Sequence, residues 1–308
     1  MAGDDGSRLP LKPLTPVQRR LIEAVAPDEQ DDPDLSFMHA VLCQTYLPYR
    51  DPGDEVRLWR RRQGSALLEV QAGRVADPEK EDLVDVGLPW GTKPRLILAH
   101  LNAEALRQGS PDIEVEASLS AFVKRIRGFN GGREIRAFKD QLGRLSASLV
   151  RLAVFRSGYA RQVETKVIKS FDLWLHKDER QRVLWPSTIQ LSRDYYESLQ
   201  DHAVPLPEGA LGALAHNAMA LDVFCWLAHR LRRIKKGKPV FVPWAALQGQ
   251  FGWHYGRVRD FRRVFLDTLR QVKRVYPAAE LDEIISLTGQ PEGLELHHSL
   301  PPVPDRTG

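Results

Sequence analysis

Cysteine is almost missing: Cys43 and Cys225 are the only two in 308 residues. Two isolated thiols cannot make a secreted disulfide framework, and no cysteine pair has the spacing that holds zinc. A reducing interior is therefore expected. Long apolar runs are missing too. No stretch approaches the roughly 18 apolar residues of a membrane helix. The acidic opening MAGDDGSRLP lacks the apolar core of a signal peptide. A soluble, cytoplasmic protein with no membrane contact is expected. The phosphate-cradling pattern GxxxxGK does not occur, and the glycines at 128, 131 and 132 do not follow a strand in a nucleotide-fold setting. His297-His298 has no companion ligands at metal spacing. Tyr195-Tyr196, the nearest pair to a nicking nucleophile, has no histidine pair beside it. The expectation is a protein that is not an enzyme and carries no cofactor or metal.

The most informative shortage is local. Residues 226–276 hold thirteen Lys or Arg against two acids, Asp260 and Asp267. The net charge of +4 hides this, because charge is segregated along the chain. Residues 1–36 carry eight acids and four bases, whereas residues 88–175 carry fifteen bases and eight acids. A basic patch, rather than the total, is what meets a phosphate backbone. Hydrophobic content of 43% supports real cores, and the length is that of two domains.

Periodicity locates the elements. Residues 1–34 read as an acidic arm, with Thr15-Pro16 able to start a helix. Leu35 to Leu47 can form a short helix or strand, and residues 56–71 one or two strands. Leu96, Ile97, His100, Leu101 and Ala105 give a helix face, and Ile113 to Val115 a strand. Ser118 can cap a helix running to about Arg127, before a glycine-rich turn at 128–132. A longer helix from Arg133 sets Ile135, Phe138, Leu142, Leu145 and Leu149 on one stripe. Residues 150–156 and 163–175, about Gly158, read as a hairpin. Residues 182–191 can add a strand, and Ser192 can cap another helix. Helix, strand, helix, turn, helix, hairpin is the order of a winged helix, whose third helix enters the major groove.

The order then recurs. Pro-rich Ala203 to Gly209 reads as a junction. Ala210 to Ile234 is helical with a break near His216-Asn217, Pro239 to Val242 is a strand, and Trp244 to Phe251 is a short helix. The helix Val258 to Tyr276 ends at Pro277, and residues 281–287 and 293–297 form a second wing. The fold class expected is α+β, mainly helical, with tandem winged-helix domains at 35–202 and 203–298 and a disordered tail at 299–308.

The long helix carries the sharpest signal. Phe261, Phe265, Leu269, Val272 and Tyr276 line one face, and Arg259, Arg263, Arg270 and Arg274 another. At about 28 Å it can cross a major groove. Arg257, Arg259, Arg262 and Arg263 come early, where a recognition helix meets bases, and Arg270 comes late. Arg232, Arg233, Lys235, Lys236 and Lys238 read as a phosphate clamp beside it. In the first unit the equivalent residues are Arg133, Arg136, Lys139 and Arg144, with Lys166 and Lys169 at wing positions. Each has a plainer reading. The helix faces can be solvated sides of core helices, and the 230–238 run can complement a helix dipole. Asp267 can pair with Arg263 or Arg270 at helical spacing. Trp253, His254 and Tyr255, in the turn before the basic helix, can touch DNA or pack the turn.

Several phrases in order resemble plasmid replication initiators of the RepA type: GLPWGTKPRLILAHLNAEALR (87–107), SLSAFVKRI followed by GFNGG (118–132), and REIRAFKDQLGRL (133–145). ALDVFCWLAHRL (220–231), VPWAALQGQFG (242–252), DFRRVFLDTLRQVKRVYP (260–277) and LHHSLPPVP (296–304) continue the set. The resemblance implies binding of repeated duplex sites (iterons) at a plasmid origin. It also implies origin opening and, as partners, the host replicative helicase with its loader and the chromosomal initiator protein. A switch between a repressing homodimer and an origin-melting monomer is likewise implied by family likeness alone. The residues by themselves leave two other readings open, a winged-helix transcriptional repressor and an RNA-binding or scaffold protein.

Overall fold

The computed structural model describes residues 35–77, 80–114, 132–171, 188–286 and 289–303. The arm at 1–34, the helix capped by Ser118, most of the glycine turn and the end of the tail lie outside the described residues. In chain order the described strands are β1 (Leu35–His39), β2 (Leu58–Gln63), β3 (Ala66–Gln71), β4 (Arg74–Asp77), β5 (Asp82–Asp85), β6 (Asp112–Glu114), β7 (Leu149–Arg156) and β8 (Tyr159–Lys166). They continue with β9 (Ile168–Phe171), β10 (Thr188–Leu191), β11 (Ala203–Pro207), β12 (Val240–Pro243), β13 (Leu281–Ile285) and β14 (Pro291–Leu296). The helices are α1 (Thr92–Gln108), α2 (Gly132–Ala147), α3 (Arg193–His202), α4 (Glu208–Leu214), α5 (Ala218–Arg230), α6 (Trp244–Phe251) and α7 (Val258–Val275).

The second half runs α5, β12, α6, α7, β13, β14, and its sheet is ordered β12-β14-β13. This is winged helix-turn-helix architecture. Its boundaries follow local chemistry. Asn217 accepts a hydrogen bond from the Ala220 amide at 3.2 Å and so caps α5. That places the break in the 210–234 helical stretch where the sequence marks it. The apolar stripe of α7 is buried, with Phe261, Phe265, Leu269, Val272 and Tyr276 each at most 1% exposed. Trp244, Phe251 and Trp226 pack around it in edge-on and tilted pairs, with centroids 6.0 Å apart for Trp244–Phe265 and 5.4 Å for Trp226–Phe251.

The first half repeats this scheme. α1 leads into β6, α2 follows, and the sheet is ordered β6-β10-β9. The parallel with β12-β14-β13 identifies β9 and β10 as the first wing. That corrects the expectation that the hairpin about Gly158 is the wing. The hairpin exists, as β7 and β8, but β7 pairs with β3 to make a four-stranded sheet ordered β2-β3-β7-β8. Burial drives this pairing: Leu68 and Val70 of β3 and Val150 and Leu152 of β7 are all under 5% exposed. Local alternation locates β7, but the stretch expected as one strand at 163–175 divides between β8 and β9, and alternation cannot choose between partners far apart in sequence. Lys166 closes β8 and Lys169 lies on β9, so only Lys169 is in the wing sheet.

The stretch read as a junction is also more than a linker. Ala203–Pro207 forms β11 and pairs antiparallel with β1, Leu35 opposite Pro207 and His39 opposite Ala203. The two halves share one buried cluster that includes Met38, Leu96, Leu206, Leu221 and Phe251.

A buried ion pair crosses this shared core. Arg95 of α1 donates to both carboxylate oxygens of Asp222 on α5 at 2.8 Å each. It also donates to the carbonyl of Leu47 at 2.6 Å and to that of Gly91. Burial pushes the Asp222 carboxyl above its ordinary range while Arg95 pulls it down. Because an arginine stays charged and the pair is bidentate, both groups remain ionised at neutral pH.

Buried histidine sets an acid limit on stability. His39 Nδ1 accepts from the Val41 amide at 3.2 Å, so Nε2 carries the proton and donates to Ser198 Oγ at 3.1 Å. Burial first, then the charges of His202 and Arg161, lowers its pKa from 6.5 to about 3. His229 falls to about 3 through burial and then Arg233, Arg232 and Arg230. The unfolded chain binds these protons below about pH 6.5 and the folded chain does not, so stability drops as pH falls from about 6.5 toward 3. Urea unfolding at pH 7.5 and pH 5 should show a lower midpoint at pH 5, above the range of ordinary carboxylates. His39→Gln should flatten part of that slope. Equal midpoints at the two pH values would rule the account out.

Candidate nucleic-acid interface

The N-terminal half of α7 is the best-formed cationic surface. The turn before it comes within van der Waals range of the helix, because a Cβ on Gly252 would sit 2.3 Å from the Phe261 ring. Arg257 occupies the N-cap with no side-chain cap, leaving first-turn amides for solvent or an anion. Arg257, Arg259 and Arg263 are exposed. The Arg259 side chain is 80% exposed, and its one ion-pair partner among the described residues is its neighbour Asp260, at 3.6 Å. Arg263 has no ion-pair partner among the described residues. Lying on one helical face with Phe261 and Phe265 buried behind, Arg259 and Arg263 present two guanidinium groups to whatever docks there.

Three other cations of the helix are engaged internally. Arg262 meets Glu283 of β13 at 2.6 Å, and its guanidinium lies 5.7 Å from the Trp244 ring centre. It therefore holds the wing sheet against the helix. Arg270 pairs with Asp267 at 2.6 Å within the helix, the second of the two partners the spacing allowed. Lys273 donates to the Ala279 carbonyl beyond the helix end.

The second wing is not basic. Residues 276–305 contain no Lys or Arg, while Glu280, Asp282, Glu283, Glu292 and Glu295 lie in or beside β13 and β14. His297 sits 3.1 Å from Asp282 and 3.5 Å from Glu295. A hairpin of this charge repels phosphate, which leaves α7 and the turn before it as the cationic face on this side of the second half.

In the first half, Arg133 and Arg136 are exposed at the start of α2. Lys139 is half-buried, and burial lowers its pKa. Arg144 is turned inward: its side chain is 16% exposed and pairs with Asp140 at 3.1 Å. Lys166 and Lys169 are exposed. The basic run lies elsewhere again. Arg233, Lys235, Lys236 and Lys238 are exposed and Arg232 half-buried. They precede β12, whose start pairs with Leu296, the end of β14 away from the 286–290 wing turn. Arg232 is close enough to Tyr276, at the C-terminal end of α7, to act on its phenol. The run is thus at the opposite end of the sheet from the wing tip.

Sequence reading passed over a second set of cations. Arg60, Arg61 and Arg62 lie on edge strand β2. Arg61 stacks 3.8 Å from the Trp59 ring centre and 4.9 Å from that of Trp253, in the turn before α7. Trp253 is half exposed and meets Trp59 edge-on at 5.2 Å. Arg50 is exposed, and both it and Arg263 act on the Tyr255 phenol, which burial pushes up. The first half therefore adds Arg50 and Arg61 beside the exposed start of α7. The RRR run on an alternating strand was the available signal, but its neighbours in space are set by tertiary contact.

Fold and surface together define an α+β protein of winged helix-turn-helix architecture. Residues 88–245 match the family described as plasmid encoded RepA protein, and the chain belongs to that family. Membership implies a non-catalytic, DNA-binding, replication-initiator-like protein. The matched residues end before α7, so the phrases at 260–277 and 296–304 lie beyond them. The chain is similar in fold to the crystal structure of RctB domains 2-3, with a TM-score of 0.50 and 8% identity over 84% of this chain and 96% of that one. A selenomethionine form of RctB domains 2 and 3 aligns over 83% of this chain and 95% of that one, at a TM-score of 0.49 and 7% identity. No curated protein matches. Among the described residues no helix is long and apolar enough to cross a membrane. Among the same residues no group of three or more His, Cys, Asp or Glu is placed to hold a metal ion.

Proposed function

We propose that this protein starts replication of its plasmid by binding repeated duplex sites at the origin, opening the adjacent DNA and recruiting the host helicase. The observation that carries the reading is the pair Arg259 and Arg263, exposed and without strong ion pairs on a helix whose opposite face is core. Arginine there can donate two hydrogen bonds to guanine O6 and N7. Arg257, Arg50 and Arg61 add phosphate contacts that set register. Arg133 and Arg136 on α2, with Lys169 on the first wing, form the second contact region. Two winged-helix domains, 35–202 and 203–298, would follow one duplex face over successive turns, roughly 34–36 Å apart. Bending the duplex costs about 1–6 kcal/mol per site, and that strain favours opening of a neighbouring AT-rich segment without hydrolysis. A homodimer, the helicase loader and the chromosomal initiator protein belong to this reading as partners, and the cytoplasm as location.

Fluorescence anisotropy on cognate-origin and scrambled duplexes across a salt series tests it. A preference for cognate DNA and a log–log salt slope of about −0.9 per phosphate neutralised are expected. Permanganate reactivity of the AT-rich segment beside the repeats separates an initiator from a repressor, because a repressor binds the same sites and leaves the duplex closed. Tighter binding to RNA than to duplex DNA would sink both.

A further inference from the structure

The basic run between α5 and β12 does not simply extend the α7 surface. It lines an open cleft of about 580 Å³ at the far end of the second sheet. His229, Arg230, Arg233, Lys235 and Lys238 line it from the second half, and Gln44 from the first. The cleft falls in the size range of small-ligand sites, about 300–1,000 Å³. We propose that this cleft binds a free polyphosphate anion, of the class of a nucleoside triphosphate, independently of the DNA surface on α7.

Several features converge on an anion. No carboxylate lines the cleft, and none of its Arg or Lys residues pairs with an acid among the described residues. Arg230 Nε is buried with no hydrogen-bond partner, while its guanidinium rests 5.8 Å from the Trp226 ring centre. An N–H donor left unmade in this way costs free energy until an acceptor arrives. Arg233 donates to the His229 carbonyl, which anchors it at the cleft wall. Gly237, at a φ of 71°, and the Lys238 amide bonded to the Lys235 carbonyl at 3.0 Å make the tight turn between the two lysines. The crowding of like charge already shows: burial and the neighbouring arginines hold His229 neutral, and burial lowers Arg230 and Arg233.

Position and the clustering of cations favour a compact anion over a duplex. The site is an open cleft, and it lies beside Val240 at the end of the sheet away from the wing turn. A polyphosphate chain can meet several of these clustered cations at once. The occupant would also touch both halves. The Gln44 carbonyl accepts from Gln250 of α6 at 3.0 Å, so a ligand reaching Gln44 bears on α6 and the turn that leads to α7.

The test is calorimetric titration and thermal unfolding of the full chain with inorganic triphosphate and with ATP. Saturable binding and a raised Tm are expected. Arg233→Glu and Lys238→Glu should each weaken binding by roughly tenfold or more, the scale of one charge-assisted contact. Arg263→Ala should leave it unchanged. Circular dichroism confirms folding, and Lys235→Gln/Lys238→Gln provides a milder pair if a reversal does not fold. Absence of saturable binding up to millimolar anion, or equal affinity in wild type and the cleft variants, overturns the proposal. So does loss of duplex affinity in Arg233→Glu without triphosphate binding to the wild type, which would give the cleft to backbone phosphate. Because the anion assay contains no DNA, its failure leaves the origin-binding reading standing, and the reverse also holds.

Discussion

Asp222→Ala should lower the stability of the protein by about 3–5 kcal/mol, the cost of leaving a buried charge without its partner. Arg95 is 5% exposed at its side chain, and the other acceptors around it are main-chain carbonyls that cannot neutralise it. The loss should appear as a lower urea midpoint with little change in m. The pair is not in itself a strong stabiliser, since burial alone pushes the Asp222 carboxyl upward. Arg95→Met/Asp222→Leu, which removes both charges and keeps much of the volume, should recover most of the loss. Its value lies in fixing α1 against α5, the first helix of one winged unit against the first of the other. A single variant as stable as wild type would show that water reaches the site and the pair is dispensable.

Arg259→Ala/Arg263→Ala should weaken cognate duplex binding by about 2–6 kcal/mol if each side chain reads a base and the losses add. Stability should hardly change, because neither side chain supports the core. The discrimination between cognate and scrambled DNA should shrink with affinity. Equal losses on both duplexes would mean phosphate contacts instead, and the salt slope would then flatten by about one unit per residue. Arg262→Ala is the informative contrast. Its partner is Glu283, so the change should loosen the wing sheet and reduce stability more than specificity. Unchanged affinity in the double variant would remove α7 from the interface.

The sequence was legible where local periodicity decides the outcome. The stripe at 261, 265, 269, 272 and 276 is buried, and the break at Asn217 is a capped helix start. Trp244 to Phe251 is a helix with the boundaries read from the sequence. Cation exposure was half legible. Helical spacing puts Arg259, Arg262 and Arg263 on nearby faces, but it does not place Glu283 beside Arg262. The wing charge was written plainly in residues 276–305, and attention to bases alone missed it.

By itself, then, the chain determined its helices, their amphipathic faces and the shortage of acids around them, since those depend on neighbours three or four residues apart. Tertiary structure alone decided that β7 joins β3 and that β11 joins β1. It also decided that Arg61 meets Trp253 and that the 230–238 run lines a cleft rather than flanking the wing. Those outcomes depend on competition among strands and side chains far apart in sequence. Burial and pairing energies settle such competition only when the whole core assembles.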